Sequence, residues 1–207
     1  PVSRYVPGLL AGLIVVLGSA AQAQDRPSVL TAEDRAELRR YAVDTWKSMD
    51  RLAYPSGLPS DRVHREGAGW REPVAETTPT NIAAYIWCVI GAERLEIIPK
   101  DDARDRLTRT MQTLEAMDRP HGFFVNDIDP RDGSRLAASP VDGSPRRPLI
   151  STVDNAWLAL ALMMVANTRP DLAPNAERLL DAMDFGFLYD FYDAQDPIRQ
   201  PGLLRVG

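Results

Sequence analysis

Thr77-Thr78-Pro79-Thr80-Asn81 followed by IAAYIWCVI (82–90), and Ser151-Thr152-Val153-Asp154-Asn155 followed by AWLALALMMV (156–165), decide the fold of this chain. Each is a cluster of small polar residues opening a run that is apolar on nearly every face. Such a run must be surrounded by other protein or by lipid. Neither reaches the roughly 18–20 residues that span a bilayer. Both are therefore expected to be inner helices of a helical fold. Their first turns, with free N–H groups and a favourable dipole, are natural places to gather hydroxyls and carboxylates around a ligand.

Working outward, Thr31-Ala32-Glu33-Asp34 reads as a capping box opening a helix that runs to about Leu52. Leu38, Ala42, Trp46, Met49 and Leu52 form its apolar stripe, with Arg35, Arg39, Asp44 and Lys47 opposite, as on an outer helix. A long loop rich in Pro and Gly carries Asp61, Arg62, His64, Trp70 and Arg71. The inner helix at about 80–96 is followed by an amphipathic one at about 101–118, with Ala103, Leu107, Met111, Leu114 and Met117 inward. Residues 122–128 read as a short strand and Pro130-Arg131-Asp132-Gly133 as a turn, together a short β-hairpin insertion. The second inner helix spans about 152–167. Ala173-Pro174 then opens an outer helix that buries Ala176, Leu179, Leu180 and Met183, ahead of an aromatic, acidic tail.

Outer, inner, outer, inner, outer is the alternation that a toroid of helical hairpins requires. In such a ring the inner helices run parallel and their N-termini share one mouth. Five helices do not close it, so the expected architecture is all-α, an incomplete toroid, with the chain read as the first part of a longer domain. The domain covers residues 24–207. Ahead of it, Arg4, the apolar run Leu9–Leu17 and Ala21-Gln22-Ala23 have the form of a signal peptide cleaved after Ala23, implying export to a periplasm or the medium.

A net charge of -5 gives no reason to expect nucleic acid as a partner, and membrane association is expected only through the leader. Cys88 is the single cysteine and sits in an apolar helix, where an inert thiol is expected. His64 and His121 are isolated. Asp127, Asp129 and Asp132 miss the calcium-loop spacing, and the segment reads better as a tight turn. No metal or cofactor is expected.

Thr78-Pro79-Thr80-Asn81-Ile82, Gly122-Phe123-Phe124 with Asn126 and Asp129, and Ser151-Thr152-Val153-Asp154-Asn155 with Trp157-Leu158 resemble the bacterial glucoamylase-like family, which includes endo-β-1,2-glucanases. Leu58-Pro59-Ser60-Asp61-Arg62-Val63 is a weaker match. The resemblance covers roughly residues 35–205. It implies an (α/α)6 toroid and hydrolysis of a glucan with inversion, by one carboxylic acid and one carboxylate. It places Asp154 in the site, where the helix dipole suits a base, and the remaining acid is expected in a C-terminal half beyond this chain or among Asp129, Asp190 and Asp193. Thr78, Thr80, Asn81, Asn126, Asn155, Trp157 and Arg62 would hold the sugar. The chain departs from the family at Asp127 and Ile128, where aromatic residues are common, and that bears on the substrate. A glycan-binding protein without chemistry, or a polysaccharide lyase, would use the same architecture.

Overall fold

The structure is a computed structural model and describes residues 30–205; the expected leader, residues 1–23, lies outside them. The chain divides into two compact units, Pro1–Arg40 and Tyr41–Gly207. The described part of the first is the start of helix α1 (Ala32–Leu52). There the capping box forms as expected. Asp34 accepts from the Thr31 backbone N–H at 2.8 Å, and the Asp34 N–H donates to Thr31 Oγ1 at 3.1 Å. Leu38, expected on the inward stripe, is 51% exposed.

The second unit holds the rest of α1, then α2 (Pro79–Arg94), α3 (Lys100–Ala116), α4 (Thr152–Thr168) and α5 (Ala173–Asp181), with single 3₁₀ turns at Pro120–Gly122 and Phe185–Leu188. α2 packs mainly against α4, and α4 in turn against α5. Two contacts fix the direction of α2 and α4. Thr80 in the first turn of α2 donates to Asp154 in the first turn of α4, and Glu93 near the end of α2 pairs with Arg169 just after α4. Meeting in the same order at both ends, the two helices run parallel.

Their core is dry. Ile82, Ile86 and Val89 of α2 and Leu158, Leu162 and Val165 of α4 are fully buried, as are Leu107 and Leu114 of α3. Burial of this kind contributes about 1.5–3 kcal/mol per large side chain. The expectation that α4 is enclosed on all sides is corrected, however. Val153, Trp157, Leu160 and Met163, at helical spacing, are each between 44% and 60% exposed. One apolar face of α4 has no cover among the described residues.

The expected strand at 122–128 does not form. Phe123 and Phe124 are both fully buried, which breaks the alternation that a strand needs, and only Ile128 makes ladder contacts, to Thr77 and Arg135. The hairpin lies instead in the long loop, where β1 (Arg65–Glu66) pairs antiparallel with β2 (Gly69–Trp70).

Residues 129–146 contain a tandem turn. Asp129-Pro130-Arg131-Asp132-Gly133-Ser134 and Ser139-Pro140-Val141-Asp142-Gly143-Ser144 share a pattern at a spacing of ten. They close alike. Gly133 N–H donates to Asp129 O and Asp129 N–H to Ser134 O; Gly143 N–H donates to Ser139 O and Ser139 N–H to Ser144 O. Asp132 and Asp142 each accept from the Ser two residues on. Both glycines sit at positive φ, 80° and 72°, where a Cβ would be strained.

Candidate functional site

The two inner-helix openings do meet. Thr78 caps α2, its hydroxyl accepting from the Asn81 N–H at 3.4 Å, and Pro79 supplies the preset φ of the first helical position. Ser151 caps α4 in the same way, accepting from the Asp154 N–H at 3.2 Å. With both first turns fixed, Thr80 Oγ1 lies 2.5 Å from Asp154 Oδ1. Asn126 Nδ2 donates to the other oxygen, Asp154 Oδ2, at 2.6 Å. Asn126 is carried there by a paired backbone contact in which Thr77 and Ile128 exchange N–H···O bonds of 2.8 and 3.0 Å. The Oδ1 of Asn126 is buried with no partner among the described residues. Asp154 is half-buried at this mouth.

Beside Thr80, Asn81 Nδ2 donates to Asp61 Oδ1 at 2.7 Å. Two carboxylates, Asp61 and Asp154, are thus bound by consecutive residues of one helical turn. From Asp61 an alternating row of charges continues along the rim. Arg62 is 3.4 Å from Asp61 and 3.0 Å from Glu76. Arg146 is 2.9 Å from Glu76 and 3.4 Å from Asp127. The Glu76 side chain is only 6% exposed and lies between both guanidinium groups. Arg62, expected to face a sugar, serves here in an ion pair and stays 43% exposed.

Three other expected site residues do different things. Asn155 is fully buried; its Oδ1 accepts from Phe124 N–H at 2.9 Å and its Nδ2 donates to Phe124 O and Ser151 O, each at 2.9 Å. It fastens the 123–126 segment to α4. Asp129 lies in the first tandem turn and is gripped by Arg131, whose Nη2 is 2.5 Å from Oδ2. That guanidinium, opposed by burial, holds the Asp129 carboxyl below the usual aspartate range. None of its hydrogen bonds reaches Asp154, Thr80 or Asn126. Trp157 follows Asp154 by three residues on the open face of α4, its ring edge-on to Trp87 at 5.5 Å.

Sequence reasoning missed Asp61 as a partner of Asn81, and Glu76 altogether. The partners of Glu76 are 14 and 70 positions away, so no local pattern marks it. Burial raises the Cys88 thiol pKa, in keeping with an inert residue. Among the described residues no group of three or more His, Cys, Asp or Glu side chains is placed to hold a metal ion. Nor is any described helix long and apolar enough to cross a membrane.

Parallel apolar helices thus join a carboxylate, a hydroxyl and an amide at a shared mouth in an all-α fold. The solved structures that share it make this specific. An endo-β-1,2-glucanase from Chitinophaga pinensis, solved with sophorotriose and glucose, matches at a TM-score of 0.61 and 17% identity over 77% of this chain and 38% of its own. Candidate glucoamylases from Bacteroides fragilis and Bacteroides caccae match at TM-scores of 0.61 and 0.57, with 18% and 20% identity, over 79% and 72% of this chain and 40% and 38% of theirs. The chain therefore spans about two fifths of these proteins. At such identity the likeness is one of fold. No protein-family model matches the sequence, and no curated protein does.

Proposed function

We propose that this protein is a glycoside hydrolase acting on a glucan, with β-1,2-glucan as the first substrate to try, and that Asp154 is one of its two working carboxylates. The observation that carries the reading is the Thr80–Asp154–Asn126 constellation at the joint mouth of α2 and α4. The shared fold with a β-1,2-glucanase supports it. The same proposal takes the fold as part of a toroid, the uncovered face of α4 being where further helical hairpins pack, and takes the chain as exported by its leader to the periplasm or medium.

Hydrogen-bond chemistry divides the two roles. Asp61 faces only donors, the Asn81 amide and the Arg62 guanidinium, an arrangement that suits the base that activates water. Asp154 Oδ1 faces a hydroxyl, which can donate to a carboxylate or accept from a carboxylic acid. Asp154 can therefore carry a proton without losing that bond, and suits the acid that protonates the leaving oxygen. This reverses the base role that the helix dipole alone would suggest. Asp129, bound up with Arg131, takes no part.

Reducing-end release from β-1,2-glucan by the full-length protein, abolished in Asp154→Asn and accompanied by an inverted anomer in the first product, is the expected result. Release undiminished in that variant would overturn the assignment. Both oxygens of Asp154 are already engaged by protein donors, which favours one second reading, a glycan-binding protein without turnover. Equal binding by wild type and Asp154→Asn with no release would establish it.

A further inference from the structure

Next to the Asp154 constellation lies a cavity of about 440 Å³ that none of the above uses. Its walls include His121, Val125, Ile150, Phe187, Leu188 and Arg205. Val125 and Ile150 immediately precede Asn126 and Ser151, so the cavity adjoins the mouth of α4. Thr152 in the first turn of α4 also donates to the backbone carbonyl of Arg205.

The walls are mostly apolar, and their polar groups are few and placed. His121 and Phe187 lie parallel, ring centroids 3.7 Å apart and planes within 9°. The His121 imidazole has no hydrogen bond to any described residue. Its backbone is set at φ 55°, and its carbonyl accepts from Asp184 N–H at 3.0 Å, so the ring is preplaced. Arg205 spends its Nε on Asp190 at 2.6 Å and stands 5.9 Å from the Phe187 ring. Its charge is already balanced by Asp190, so what it offers a ligand is N–H groups rather than an unpaired positive charge. A largely apolar cavity with a flat aromatic wall, a donor-or-acceptor imidazole and charge-balanced guanidinium donors matches a pyranose ring, which has a C–H face and a hydroxyl rim. It does not match a free anion.

We infer that this cavity binds one sugar ring of the glycan, beside the unit that reaches Asp154. The inference rests on the glycan reading but is tested apart from hydrolysis. The imidazole C–H resonances of His64 and His121 in the full-length Asp154→Asn protein are assigned through their loss in His64→Gln and His121→Gln. Titration with linear β-1,2-linked gluco-oligosaccharides is expected to move the His121 signal and leave that of His64. Phe187→Ala is expected to weaken binding roughly three- to tenfold, the scale of one aromatic contact. Arg205→Gln, at an exposed position, gives the same direction if Phe187→Ala does not fold. Oligosaccharide binding with the His121 signal unmoved, or with unchanged affinity in a folded Phe187→Ala or Arg205→Gln, overturns the inference and leaves the hydrolase reading standing. A His121 shift without turnover by the wild type does the reverse. A shift with sodium phosphate and none with sugar makes the cavity an anion site and overturns the inference.

Discussion

Thr80 and Asp154 are 74 positions apart in sequence and 2.5 Å apart in space, joined by a hydrogen bond between the first turns of two parallel helices. The bond ties the register of α2 and α4 to the position of one carboxylate. Thr80→Val keeps the shape of the side chain and removes the hydroxyl. It is expected to lower stability by about 0.5–1.5 kcal/mol, the net range for one hydrogen bond. In the proposed hydrolysis it should reduce kcat more than it raises KM, whereas Thr80→Ser restores both. Urea unfolding with steady-state kinetics on the three proteins checks this.

Asn155 invites a different outcome. Its buried amide meets the backbone of Phe124 on both sides and the half-buried carbonyl of Ser151. Asn155→Ala leaves those groups buried and unpaired, at a cost of about 2–4 kcal/mol. Glycan affinity per folded molecule should not change, because the side chain has no exposed surface to offer a sugar. A normal unfolding midpoint with lost binding would reverse that assignment.

Gly122 is the tightest backbone position of the loop that carries His121. At φ 79° a Cβ there would stand 1.7 Å from the Ala182 carbonyl oxygen. Gly122→Ala combines left-handed strain with a backbone clash, and is expected to cost more than about 3 kcal/mol. Loss of cooperative thermal unfolding, or a sharp drop in soluble yield, is the readout.

The tandem turns hold two carboxyls whose pKa is lowered. Hydrogen bonds from Ser144, first its backbone N–H, together with Ser139, lower the Asp142 pKa from 3.8 to about 2, and Arg131 lowers that of Asp129. A carboxyl depressed in the folded state contributes stability that is complete above its unfolded pKa and is lost as pH falls through the folded one. Wild type should therefore exceed Asp142→Asn in stability at pH 5, and the gap should close between pH 4 and about 2. Denaturation midpoints across that range measure it. A gap that grows on acidification would contradict the assigned direction.

How legible all this was depends on the range of each interaction. The capping box at Thr31, the inward faces of α3 and α5, and the two polar openings are set by residues within a turn of one another, and their periodicity marks them. That Thr80 and Asn126 would both bind Asp154 followed only in outline, from placing two N-termini at one mouth. Glu76 and Asp61 were hidden because the loops that bring Arg146 and Asn81 to them have no period. The tandem turn did carry a signal, Pro-x-Asp-Gly-Ser recurring at ten residues, but it belongs to neither strand nor helix and escapes a search for those. The open face of α4 misled in the other direction. Uniform hydrophobicity states that a surface needs cover, without stating which segment supplies it.

The far ends of the parallel helices give the last prediction. Arg169, with a side chain 8% exposed, pairs with Glu93 at 18%. Its backbone N–H also accepts the closing role of α4, donating to Val165 O at 2.8 Å. Removing one member leaves the other charged in a largely buried site, so Arg169→Leu is expected to cost about 3–5 kcal/mol. Replacing both, Arg169→Leu with Glu93→Leu, should recover most of that loss, since the charges were costly to bury in the first place. This clamp lies at the opposite end of the helices from Asp154. Below its unfolding temperature the double variant should therefore keep kcat/KM on any substrate the wild type cleaves, whereas Thr80→Val does not. A double variant that is stable and yet inactive would mean that the lower clamp sets the geometry of the mouth, and that the two helices tilt as rigid rods about their midpoint.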